Sequence, residues 1–355
     1  MPRRLPDRSK PVVAVPHPRD PPTARPRETR RKPGPLPSGP YRVPISTIDW
    51  LVSRESPAAR YVALRDLIGR PAKDPELKKA RQVLPRDPWI RDVLEVLRHR
   101  TRPGTLLPEL MRKYDGGAWL TLFLGETGCD LTIPLVRHAG DLLLAVWEKA
   151  FVQLSRHHDA PVELVAFTAA CRALALIGHA GDPRLLAASD YVARAALLGR
   201  APPAKALLLF ATVPEAKRSP LVLRAVGFLW ERALQAEIPR EGVPAAPRDL
   251  LHAGFPNGEE TDLVELLYAL ALTTPPEAFD PREGPLARGL SLLLARADHR
   301  GRWKLERAPP HGLPYPLERT GELSRWVTIR ALIAVQRFLG LTIESARAVP
   351  RPAAR

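Results

Sequence analysis

Cysteine is nearly missing from this chain: Cys129 and Cys171 are the only two in 355 residues, and neither belongs to a CxxC pair. That argues against a disulfide framework and a thiolate zinc site. Side-chain amides are also scarce, with Asn257 the sole asparagine beside four glutamines, whereas prolines number 41. Few heat-labile amides and proline-rich connections form the composition expected of a thermophile. Long apolar runs are lacking too. The longest, such as Ala206 to Val213, fall well short of the roughly 18 to 20 residues a membrane span needs. The N-terminus has no apolar stretch of the secretory type, so a cytoplasmic protein is expected. Strand-like alternation is almost absent, which leaves an all-α fold.

What the chain does have is a unit recurring about every fifty residues: an apolar helical run, a break, then Asp-Pro or Ser-Pro opening another amphipathic run. LRDLIGRPAKDPELKKA from Leu64 and CRALALIGHAGDPRLLAASDYV from Cys171 are its clearest copies. Asp182, Asp280 and Ser219 are suited to accept from free N–H groups of the next helix, and Pro183, Pro281 and Pro220 to occupy its first position, where no N–H is needed. Leu263, Leu266, Leu267, Leu270 and Ala271 follow the spacing of a helix with one buried stripe. Units too small to bury their own apolar faces must stack. Residues 43–345 are therefore expected to form one helical-repeat domain, and residues 346–355 a short disordered tail.

Residues 1–42 differ in kind. They hold eleven Lys or Arg against three Asp or Glu, half of the chain's net charge of +16, together with twelve prolines. Their aliphatic residues follow no period, so the segment predicts a disordered basic tail. Such a tail is suited to nucleic acid or an anionic surface, although no aromatic residue interleaves the basic run before Tyr41.

GRWKLE at Gly301 to Glu306 and GELSRWVTIRALIAVQRF at Gly321 to Phe338 resemble the end of bacterial proteins of the terpenoid cyclase and protein prenyltransferase superfamily, many of them designated squalene-oxidase-repeat proteins. YVALRDLIGRPAKDPELKKAR, RALALIGHAGDPR and GFPNGEETDLVELLYAL look like that group in the same order. The resemblance spans roughly residues 45–338 and implies an α/α toroid of five to six helical hairpins, with inner helices ringing a funnel. An open HEAT-like α-solenoid fits the periodicity as well. The motifs that carry the superfamily's known chemistry are absent. There is no DxDD for alkene protonation, no Asp-x-Cys pair for zinc, and Arg300 stands where the QW-type repeat usually has Asp.

Six residues are the candidates for binding. Asp262 ends GEETD, Gly258 to Asp262, whose three carboxylates suit a magnesium-bound diphosphate or acid–base work, but also a capped first helical turn. The resemblance places it after Phe255-Pro256 at the funnel's mouth. Trp326 and Arg330, at i and i+4 on a helix expected from about Ser324 to Phe338, join Trp303 and Arg325 in a set able to grip a carboxylate, a phosphate or an extended ligand. The alternative is that Trp326 closes the ring by packing and Arg330 ties down a helix end. Lys205 offers a cation to the funnel or snorkels to the surface. His157, His158 and Asp159 are read as a solvated loop, Cys171 as a small buried thiol; no metal and no cofactor is expected. The function these residues imply is a funnel-type binding protein for an isoprenoid, lipid-like or peptide ligand. The alternatives are an enzyme of cyclase-like or prenyl-transfer type with an atypical site, and a helical scaffold with a nucleic-acid-binding tail.

Overall fold

The computed structural model describes residues 33–102, 104–156, 164–238, 248–273, 280–308 and 318–344, all within one compact unit, Lys32–Arg355. Among them the chain is all-α. Fourteen helices follow one another: α1 Ile45–Leu51, α2 Pro57–Val62, α3 Pro75–Gln82, α4 Pro88–Arg100, α5 Leu107–Leu110, α6 Gly117–Glu126, α7 Pro134–Arg156, α8 Leu164–Leu174, α9 Pro183–Leu197, α10 Pro203–Thr212, α11 Pro220–Arg232, α12 Leu263–Ala271, α13 Gly284–Leu294 and α14 Arg325–Leu339. Two short strands, β1 Tyr41–Pro44 and β2 Leu341–Glu344, complete it. No helix among the described residues is long and apolar enough to cross a membrane.

Side-chain caps mark the start of six of these helices. Asp74 accepts from the N–H groups of Glu76 and Leu77, Asp87 from Trp89 and Ile90, and Asp182 from Arg184, each followed by Pro at the first helical position. Ser219 and Ser324 cap α11 and α14 in the same way. Asp280 departs from the expectation. It accepts from the N–H of Arg282 in an exposed turn, and α13 starts only at Gly284. Pro281 therefore opens a turn instead of a helix.

Packing separates two sets of helices. Helices α6, α8, α10, α12 and α14 contact one another in that order, while α7, α9, α11 and α13 pack against them from outside. Composition explains the difference: α6 and α10 are buried nearly all round, whereas α11 buries only Val222, Ala225, Val226, Leu229 and Trp230. A helix apolar on every side has to be enclosed. Fully burying each Leu or Phe of such a helix contributes about 1.5 to 3 kcal/mol.

The first and last described elements meet. Helix α14 lies against α2 and the wide turn Ala63–Leu67 that continues it. Strand β1 pairs in parallel with β2, Tyr41 opposite Leu341 and Pro44 opposite Glu344. Arg325 donates to the carbonyl of Trp50, to Ser53 and to Glu55, and its guanidinium lies 4.9 Å from the Trp50 ring centre.

The ordered part thus starts earlier than residue 43. Val43 is wholly buried, Arg282 donates to the carbonyl of Pro37, and Ser291 to that of Gly34. Composition alone hides this, because the proline-rich segment is held by its carbonyls and by a strand partner some 300 residues away. The rest of the basic tail lies outside the described residues, as do residues 345–355, His157, His158 and Asp159.

Candidate functional site

Each helix of the inner set carries charge sparingly, and the few charges converge. Glu126 ends α6, Arg172 lies late in α8, Lys205 in the first turn of α10, and Glu265 in the first turn of α12; each is the only charged residue of its helix. Helix α14 adds Arg330 from its second turn. Glu126 Oε1 accepts from Arg172 and, at 2.8 Å, from Arg330. Lys205 Nζ donates to both oxygens of Glu265, at 2.8 and 2.6 Å, and to the carbonyl of Glu260 at 3.0 Å. Their side chains are at most 10% exposed, so the attractions act at low dielectric and desolvation opposes them strongly.

The connection into α12 holds the network in place. Asp262, fully buried, caps α12 by accepting from Glu265 N at 2.8 Å; its other oxygen accepts from Gly254 N and Asn257 Nδ2, both at 2.7 Å. Arg307 approaches the same oxygen at 3.4 Å. Asn257 Oδ1 in turn accepts from Arg330 at 2.8 Å. The Arg330 guanidinium lies 4.5 Å from the Phe255 ring centre and 5.3 Å from that of Tyr268. Phe255, which precedes Pro256 through a cis peptide, stacks on Trp326 with centroids 4.7 Å apart and planes 8° from parallel. Cation–aromatic contacts of this kind favour a guanidinium taken out of water.

Burial and charge pull the titrations in opposite directions. For Glu126 burial favours the neutral acid, but the charges of Arg330 and Arg172 more than offset it and hold the carboxyl below its ordinary range. For Glu265 burial prevails over Lys205 and pushes the carboxyl up. Burial likewise brings Lys205 down in spite of Glu265. A buried acid raised and its partner amine lowered form a pair from which a proton can move. Burial also raises both thiols, Cys129 to about 12 and Cys171 further still, so neither is a nucleophile at neutral pH.

A hollow opens beside this network, lined by Trp119, Leu122, Val165, Thr168, Ala169, Arg172, Lys205, Leu208, Asn257, Gly258 and Glu265. Counting the part open to solvent it measures ≈290 Å³, of which ≈20 Å³ is deep enough for the centre of a water-sized body. That depth suits one small group rather than a whole drug-sized molecule.

Of the six residues singled out by sequence, Asp262, Lys205, Trp326 and Arg330 meet here. Trp303 and Arg325 do not join them through any polar contact. Trp303 is buried between α13 and α14, donating its indole N–H to the carbonyl of Leu293 at 2.8 Å and its backbone N–H to Thr328. Arg325 ties α14 to the Trp50–Glu55 segment. The acids of GEETD take separate roles: Glu259 pairs with Lys113, Glu260 with Arg307, and Asp262 caps α12 while Arg307 approaches it too. No group of His, Cys, Asp and Glu among the described residues is arranged to hold a metal ion. Sequence reasoning missed Glu126, Arg172, Glu265, Tyr268 and Trp119. The available signal was a single charge inside an apolar helical run, as in AFTAACRALAL and LVELLYALAL, which only a functional or paired charge can justify. The chain matches no family model, no curated protein and no solved structure.

Proposed function

We propose that the chain is a binding protein built as an α/α toroid of the terpenoid cyclase and prenyltransferase kind, taking an isoprenoid, lipid-like or peptide ligand at the charged ends of its inner helices. One observation carries the reading: successive inner helices each contribute a charged side chain to one buried network beside a hollow. A fold needing only stability would gain as much from apolar residues at these positions, since buried ion pairs seldom outperform well-packed hydrocarbon. Leu122, Val165, Ala169 and Leu208 give the same hollow an apolar wall, the pairing of surfaces typical of small-molecule sites. The contact of α14 with α2 and the β1–β2 pairing support closure of the ring.

Thermal unfolding with and without palmitate or farnesyl diphosphate tests the reading. A ligand at 100 times its Kd adds about 2.7 kcal/mol of stability, so a saturable rise in Tm is expected. That rise should vanish in Arg172→Gln. No rise with either probe or with a mixed lipid extract would count against binding.

A second reading, an enzyme with an atypical site, is favoured by Glu265 and Lys205. Their opposed shifts make them a candidate acid–base pair on the wall of the hollow. Turnover of a bound prenyl diphosphate by the wild type, lost in Glu265→Gln with binding retained, is the result that would select it.

A further inference from the structure

We propose that the hollow between α6, α8 and α10 is an anion site, built to take one oxygen of a carboxylate or phosphate. This deepens the binding reading by naming the group that enters. Two buried donors carry it. Trp119, 1% exposed, and Arg172, 8% exposed, both line the hollow. The indole Nε1–H of the first and the guanidinium Nε–H of the second have no acceptor among the described residues. A buried donor left without a partner is costly, and a charged one more so, so two such side chains lining one small hollow call for an acceptor.

The neighbouring acids do not meet that demand. Both oxygens of Glu265 accept from Lys205, and Asn257 is engaged at both ends, by Arg330 and by Asp262. Glu126, whose second oxygen is likewise unpartnered, is not part of the wall. Arg172, Lys205 and the acid Glu265 stand on the wall, with Glu126, Asp262 and Arg330 one contact behind, so it is the two unpartnered donors and not a surplus of charge that call for an acceptor. The enclosed volume of ≈20 Å³ has room for about one water-sized group, such as one oxygen of a head group.

The indole N–H of Trp119, assigned in ¹H–¹⁵N spectra by its loss in Trp119→Phe, reports the site directly. Acetate, hexanoate and phosphate are titrated as sodium salts into full-length protein in a bulky sulfonate buffer, with ethylammonium sulfonate as the cationic control. The expected result is a saturable shift of the Trp119 resonance with the anions and none with ethylammonium. In Arg172→Lys, which keeps the charge but not the Nε–H, saturation should need about tenfold more anion, the loss of one charge-assisted hydrogen bond. Tighter binding of hexanoate than of acetate would identify the acidic head of an organic ligand, and preference for phosphate a free inorganic ion; either supports an anion site. An unresponsive Trp119 resonance, or an equal response to ethylammonium, overturns it, and the wild-type titration decides this even if Arg172→Lys does not fold. Anion binding without any Tm response to palmitate, farnesyl diphosphate or lipid extract would instead leave this site standing and remove the binding function proposed above.

Discussion

Lys205 shows how far a residue's role can lie from its place in the sequence. Followed by an apolar run, it reads as a snorkelling lysine or a free cation, yet its three donors are spent on Glu265 and the Glu260 carbonyl. Lys205→Met should destabilise the protein by about 3 to 5 kcal/mol, because it strands Glu265, whereas Lys205→Met with Glu265→Leu should recover most of that loss. Denaturant unfolding of both variants checks the pair. Arg330 and Trp326 no longer divide into a binding and a packing residue. Trp326→Ala should cost about 3 to 5 kcal/mol through lost burial, and Arg330→Ala should be comparably destabilising because Glu126 loses a partner. Glu126 also sets a pH dependence. Its folded-state titration lies below the unfolded one, so its contribution is complete above the ordinary carboxylate range and is lost as pH falls through the depressed value. The Tm of Glu126→Gln should therefore change less than that of the wild type on acidification. Asp262 and Arg330 were legible as polar residues beside aromatic or apolar neighbours. Glu126 and Arg172 were not, since nothing local says that charges 46 residues apart will touch.

Helix starts were the most legible elements because an Asp or Ser before Pro acts locally. Asp182→Ala should cost about 1 kcal/mol through the lost cap of α9, while Asp280→Ala, in an exposed turn, should stay within about 0.5 kcal/mol. That contrast separates a true cap from a look-alike in the same dipeptide. Strand β1 was not legible, having no alternation and a partner at the far end of the chain. The fold makes its removal matter. A chain starting at residue 43 should melt lower than one starting at residue 33, because it loses half the β1–β2 pairing and the contacts of Gly34 and Pro37. Equal Tm values would return those ten residues to the tail.

For the whole molecule, periodicity yields stacked helices but not the order in which they touch, and composition gives a large net charge without saying that six charges meet in one buried network. The inner helices and the loop into α12 bring together Glu126, Arg172, Lys205, Asp262, Glu265 and Arg330, three acids against three bases. A balanced network tolerates burial; a balanced network with unpartnered donors beside a hollow invites a ligand. Native mass spectrometry of the protein purified from its own cells tests that claim most directly. The account predicts an added mass, released under activation as an acidic molecule, on the wild type and absent from Arg172→Gln purified in parallel. Bare protein in folded charge states for both would contradict it, and the network would then be a structural device alone.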